Sequence, residues 1–123
     1  MKFLTDAMLG RLTRLLRIFG YDTIYAEDIE HSAPDDLLLK YAIKHERIII
    51  TKDYPFYKKA GDERSFYLNG KGVYNYLSQL KKEFDLNFNF HMRDARCSVC
   101  NSPLTKVTYK ESIKDHVKQG TLE

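Results

Sequence analysis

Three consecutive isoleucines, Ile48-Ile49-Ile50, flanked by Arg47 and Thr51, constrain the fold of this chain more than any other feature. Side chains alternate across a strand, so a run apolar on both faces has no solvent side. Such runs belong to parallel sheets covered by helices above and below. The pattern around Arg47–Thr51 agrees. Lys2 to Thr5 predicts a first strand, and Met8, Leu9, Leu12, Leu15, Leu16 and Phe19 recur with a helical period from Ala7 to Phe19, which predicts a helix starting directly after Asp6 and stopped by Gly20. Asp22 to Ala26 predicts a second strand, Glu27 to Pro34 a polar loop, and Asp35 to Lys44 a helix with a Leu38, Leu39, Ala42 and Ile43 stripe. Beyond Asp53, residues 54–64 read as a short helix or loop, Ser65 to Leu68 as a fourth strand and Val73 to Phe84 as a helix. Strands alternating with amphipathic helices define an α/β protein. A weak strand is expected near Leu104 to Tyr109.

At 123 residues the chain fits one small domain with one real core. With 20 Lys plus Arg against 17 Asp plus Glu, the net charge of +3 does not by itself require a polyanionic partner. Local placement of charge has to carry that argument. No apolar run approaches the roughly 20 residues of a membrane span, and Met1-Lys2-Phe3-Leu4-Thr5-Asp6 is unlike a signal peptide, so no membrane partner and a cytoplasmic location are expected. The two cysteines, Cys97 and Cys100, have the spacing of half a metal knuckle, with a redox pair as the second reading.

Acids follow the apolar runs. If the first and third strands are parallel neighbours, Asp6 and Asp53 emerge together at one edge of the sheet. Carboxylates gathered there repel unless a cation lies between them, the pattern of a hard divalent metal site. Asp6 could equally cap the following helix, and Asp53 could bond its own backbone in a turn. Asp35 and Asp36 also suit the first turn of a helix, where the dipole favours acids, so their place in the site is open, with Asp35 only slightly ahead. Arg11, Arg14 and Arg17 form a basic run on the first helix. A solvated face is the ordinary reading, and phosphate binding, shared with Lys52, is the functional one. Tyr54, Phe56, Tyr57, Phe66, Tyr67, Tyr74 and Tyr76 could stack on bases, although most are expected in the core. The four histidines show no nucleophile-triad spacing with a Ser or Cys.

Several stretches resemble the Mut-seven C-terminal ribonuclease domain family, a branch of the PIN-like nucleases with an appended zinc ribbon. They are Lys2-Phe3-Leu4-Thr5-Asp6-Ala7-Met8-Leu9-Gly10-Arg11-Leu12, then 15–23, the helix from Asp35-Asp36 to Ala42, the run 47–53, and Arg96-Cys97-Ser98-Val99-Cys100-Asn101-Ser102-Pro103-Leu104. The resemblance implies a three-layer PIN-like sandwich around a mostly parallel four-stranded sheet, helices on both faces, and an acidic Mg²⁺- or Mn²⁺-dependent RNA-cleaving centre. It divides the chain into a nuclease domain, 1–90, and a partial zinc-ribbon-like tail, 91–123. Asp6, Asp35 and Asp53 are the expected metal ligands, with Asp36 beside them. Family members usually carry a second Cys-x-x-Cys, which these residues lack; His116 could add a third Zn²⁺ ligand, or two chains could share one ion as a homodimer.

The expected function is therefore a metal-dependent ribonuclease acting on RNA. A non-catalytic RNA-binding or protein-interaction module is the alternative, with its acids as helix caps, and a DNA-directed nuclease would share every residue.

Overall fold

A computed structural model describes residues 1–103 of the chain. The expected strand at Leu104–Tyr109 and His116 lie outside the described residues. Four strands, β1 (Lys2–Thr5), β2 (Asp22–Tyr25), β3 (Ile48–Thr51) and β4 (Ser65–Tyr67), form one sheet in the order β2-β1-β3-β4, every pair parallel. The helices are α1 (Gly10–Ile18), α2 (Ala26–Ile29), α3 (Asp35–Lys44), α4 (Tyr54–Ala60) and α5 (Val73–Phe84).

The isoleucine run sorts its side chains as strand geometry requires. Ile50 joins Phe3, Leu12, Leu16, Leu77 and Leu80 under α1 and α5, whereas Ile49 joins Leu4, Ala26, Leu38, Ala42 and Phe56 under α2, α3 and α4. Two apolar layers thus sandwich the sheet, and Phe3, Leu4, Ile49 and Ile50 are completely buried. Their burial contributes about 1.5–3 kcal/mol each before conformational entropy is counted. Among the described residues no helix is long and apolar enough to cross a membrane.

Two segments depart from the sequence pattern. The helix expected directly after Asp6 begins as a 3-10 turn, Ala7–Leu9, in which the Leu9 N–H donates to the Asp6 carbonyl at 2.9 Å. The Tyr25 hydroxyl donates to the Ala7 carbonyl at 2.5 Å and pins this turn against the end of β2. The loop expected at Glu27–Pro34 starts inside a one-turn helix instead. Ala26 and Ile29, three residues apart, reach the same core face, and their burial outweighs the polarity between them.

After α5 the chain turns through Asp85 in a left-handed conformation (φ 55°) and runs back along α1. Leu86 enters the core and Phe88 packs on Phe19 and Tyr21. Residues 91–103 then dock on the outer side of β2. The Arg96 N–H donates to the Arg17 carbonyl at 2.8 Å, and the Asn101 side chain accepts from the Thr23 N–H at 3.1 Å. Gly20 makes this approach feasible, because a Cβ there would lie 2.7 Å from the Asp94 carbonyl oxygen.

Candidate active site

The inner strands β1 and β3 end at the same level, so the residues just beyond them meet at the carboxyl edge of the sheet, where open α/β folds place their ligands. The Asp6 N–H donates to the Ile50 carbonyl at 3.0 Å and carries the ladder one residue past β1. The side chain is held from across the sheet: the Thr51 hydroxyl donates to Asp6 Oδ2 at 2.7 Å, and the same hydroxyl oxygen accepts from the Asp53 N–H at 2.9 Å. One hydroxyl therefore ties both acids together. Thr51 is completely buried, so this link lies beneath the surface of the site.

Asp6 makes no side-chain capping bond to the helix after it. Asp53 does cap: its Oδ1 accepts from the Phe56 N–H at 3.2 Å at the start of α4, where Pro55 occupies the first turn. A carboxylate has two oxygens, and capping engages one of them.

Asp35 opens α3 on the same edge. Partial burial pushes its pKa up, the negative charge of Asp53 pushes it further, and Asp6 and Asp36 add to this against the opposing charge of Lys59. Asp36, one residue on, is exposed and ion-paired with Lys59 of α4, whose hydrogen bond and charge draw its pKa down. The structure thus separates two neighbours that sequence left nearly equal: Asp35 feels the other acids, and Asp36 is neutralised by a lysine.

The basic run also divides. Arg11 and Arg14 are exposed on α1. Arg14 borders a cavity of about 230 Å³ whose other walls include Gly10, Tyr25, Asp28 and Val99. Arg17 is only 3% exposed. Its Nε donates to the Thr23 carbonyl at 2.9 Å, and its Nη1 to the Ser98 and Val99 carbonyls at 2.9 and 3.1 Å, so it joins α1, β2 and the tail rather than facing a substrate. Lys52 is partly engaged: Nζ donates to the Gly70 carbonyl at 2.6 Å and the Tyr76 hydroxyl at 2.7 Å.

In the tail, Cys97 and Cys100 sit on a tight loop. The Cys97 N–H donates to the Ser102 carbonyl and the Asn101 N–H to the Cys97 carbonyl, both at 2.8 Å, with Asn101 left-handed at φ 70°. Hydrogen bonding with Ser102 is the main cause that holds the Cys100 thiol below its ordinary pKa despite partial burial, with Cys97 and the Arg17 charge contributing. That favours the thiolate, the form a metal takes.

Thr51 is the functional candidate that sequence reasoning passed over. Its only signal was position, as the hydroxyl between a buried run and Lys52-Asp53. Among the described residues no three His, Cys, Asp or Glu side chains converge closely enough to enclose a metal ion by themselves. Mg²⁺ does not demand that, since it keeps several waters and is commonly held by one or two carboxylates together with substrate phosphates. The donor set of hard carboxylate oxygens fits such an ion.

Comparison with curated proteins and with solved structures returns no match. A family model described as the Mut7-C RNAse domain matches residues 1–123. The parallel sheet, Asp6 and Asp53 joined at its carboxyl edge and a match spanning the whole chain lead to one assignment: the chain belongs to the Mut7-C RNAse domain family.

Proposed function

We propose that this protein is a metal-dependent ribonuclease that hydrolyses RNA phosphodiester bonds at the carboxyl edge of its sheet. The observation that carries the reading is the Thr51 hydroxyl, which joins the backbone of Asp53 to the carboxylate of Asp6 in a region where Asp35 is already pushed up by its acidic neighbours. Like charges held together by the protein's own scaffold favour a cation and its anionic substrate.

Asp6, Asp35 and Asp53 would hold the ion. A bound Mg²⁺ or Mn²⁺ supplies charge neutralisation on the phosphoryl oxygens and a lowered pKa for a coordinated water. Thr51 fixes Asp6 by occupying Oδ2, leaving Oδ1 for the site, and the α4 cap fixes Asp53 in the same way. The repulsion that raises the Asp35 pKa in the absence of a cation is what a bound ion would relieve. Arg11 and Arg14 supply phosphate contacts that orient the strand with little sequence selectivity. Lys52 adds positive charge beside Asp53, and Arg17 acts as an internal brace.

In the tail, Cys97 and Cys100 provide two of the four ligands that structural Zn²⁺ takes, and a homodimer sharing one ion would close the set. One Zn²⁺ per two chains in a size-separated species is the expected metal content. We place the protein in the cytoplasm, where such thiolates stay reduced.

The test is direct. Labelled single-stranded RNA is cut in Mg²⁺ or Mn²⁺, spared in EDTA, and spared by Asp6→Asn with unchanged circular dichroism. Cutting that persists in Asp6→Asn rejects the reading, and cutting of single-stranded DNA in place of RNA redirects it to a DNA nuclease.

A further inference from the structure

Next to the acids, on the β4 side, three tyrosines meet at the surface. Tyr54 follows Asp53 directly at the start of α4, Tyr57 lies one turn along the same helix, and Tyr67 ends β4. Their ring centroids are 5.9 Å apart for Tyr54 and Tyr57, 5.4 Å for Tyr54 and Tyr67, and 5.9 Å for Tyr57 and Tyr67. The sheet register sets Tyr67 opposite Thr51, the residue whose hydroxyl holds Asp6. The cluster is therefore level with the acidic centre and joined to it through the chain at Asp53-Tyr54.

The fold does not need these rings for its interior. Phe56 is the α4 residue that enters the core, whereas Tyr54 remains 51% exposed. The rings are nevertheless held: each packs on the other two, Tyr57 donates its hydroxyl to the Asp62 carboxylate, and Tyr54 and Tyr67 meet edge to face at 79°. Lys58 places its ammonium 5.9 Å from the Tyr54 ring centroid. An exposed, braced aromatic face flanked by a cation and adjoining clustered carboxylates matches one ligand chemistry, a planar base carried on a phosphate backbone.

We propose that Tyr54, supported by Tyr57 and Tyr67, is a stacking platform for one base of a single-stranded RNA, with Lys58 meeting the accompanying phosphate. This rests on the ribonuclease reading for the identity of the strand, and it makes unpaired RNA the substrate class. Bases in a duplex have both faces covered by their neighbours, so the platform selects against double-stranded RNA.

The chain contains no tryptophan, so Tyr54→Trp introduces a unique emitter at the platform. In EDTA, where no cutting occurs, a short single-stranded RNA at saturation, verified by anisotropy of a label on the RNA, quenches that emission. The same oligomer with abasic sites does not. Tyr54→Leu weakens RNA binding about tenfold and raises KM by a similar factor while kcat stays within about twofold, and Tyr54→Phe restores both. Unchanged indole emission at saturation, equal quenching by abasic RNA, or no RNA binding at all overturns the platform. Should Tyr54→Leu alter the oligomeric state and leave RNA affinity intact, the cluster is a protein contact and the proposal falls. Normal metal-dependent cutting without quenching sinks the platform alone, whereas quenching without cutting in Mg²⁺ or Mn²⁺ sinks the ribonuclease reading and leaves the platform standing.

Discussion

At the amino edge of the sheet, Asp22 faces Arg47 at 2.8 Å, Arg96 at 3.8 Å and the Asn101 amide at 2.7 Å; at the carboxyl edge, Asp6 and Asp53 meet at a threonine hydroxyl, and Asp35 feels the charge of both. The two ends shift acidity in opposite directions. Burial alone would raise the pKa of Asp22, but hydrogen bonds from Asn101 and Arg47 and the charges of Arg47 and Arg96 hold it below the ordinary carboxylate range. Asp35 is raised by burial and by its acidic neighbours. Where the chain needs a charge for its own cohesion, it supplies the counter-charge from within. At Asp35 the neighbouring acids and burial outweigh the one opposing charge, that of Lys59.

The sharpest way to break this contrast is to neutralise one acid at each end. Asp6→Asn removes a proposed metal ligand, so its loss of RNA cleavage should exceed the about 10–100-fold typical of supporting groups, with the urea-unfolding free energy nearly unchanged. Asp22→Ala should do the reverse. It leaves Arg47 buried without its acid and costs about 3–5 kcal/mol in urea unfolding. The contribution of Asp22 is fully present above the ordinary carboxylate pKa and is lost as pH falls through its depressed folded value.

Gly20→Ala probes the docked tail. Positive φ (96°) and contact with the Asp94 backbone together predict a loss of about 1–3 kcal/mol, read by thermal unfolding. Mg²⁺ at ten times its Kd should raise stability by about 1.4 kcal/mol in the wild type and by much less in Asp6→Asn, a difference measurable by calorimetry. The smallest effect belongs to Asp35→Asn, a gain below about 1 kcal/mol at neutral pH, because solvent screens the repulsion it relieves. That repulsion is absent below the ordinary Asp pKa, where both states are protonated, and grows as pH rises through the raised folded value. About 1 M salt should shrink the gain further.

Much of this architecture was legible because the apolar periods are strong. Asp35–Lys44 and Val73–Phe84 are helices with the bounds their periodicity predicts, and the isoleucine run required a sheet covered on both faces. The meeting of Asp6 and Asp53 results from β1 and β3 being parallel neighbours. Arg17 was less legible for a geometric reason. Each three-residue step turns an α-helix by about 60° short of a full turn, so Arg17 lies about 120° around from Arg11, rotated from solvent toward β2. Asp35 and Asp36 could not be separated from local sequence, since the feature that distinguishes them is Lys59 on a later helix. The role of Thr51 depends on contacts across strands, which no spacing along the chain encodes.

The strand order has a kinetic consequence. β1 and β3 are the inner strands, hydrogen bonded on both sides, while β2 and β4 form the margins. Amide protons of Leu4, Thr5, Ile49 and Ile50 should therefore exchange with deuterated solvent more slowly than those along the margins. Asp6 and Asp53 ride on the segment that opens last, so partial fraying of the margins would leave their mutual placement intact.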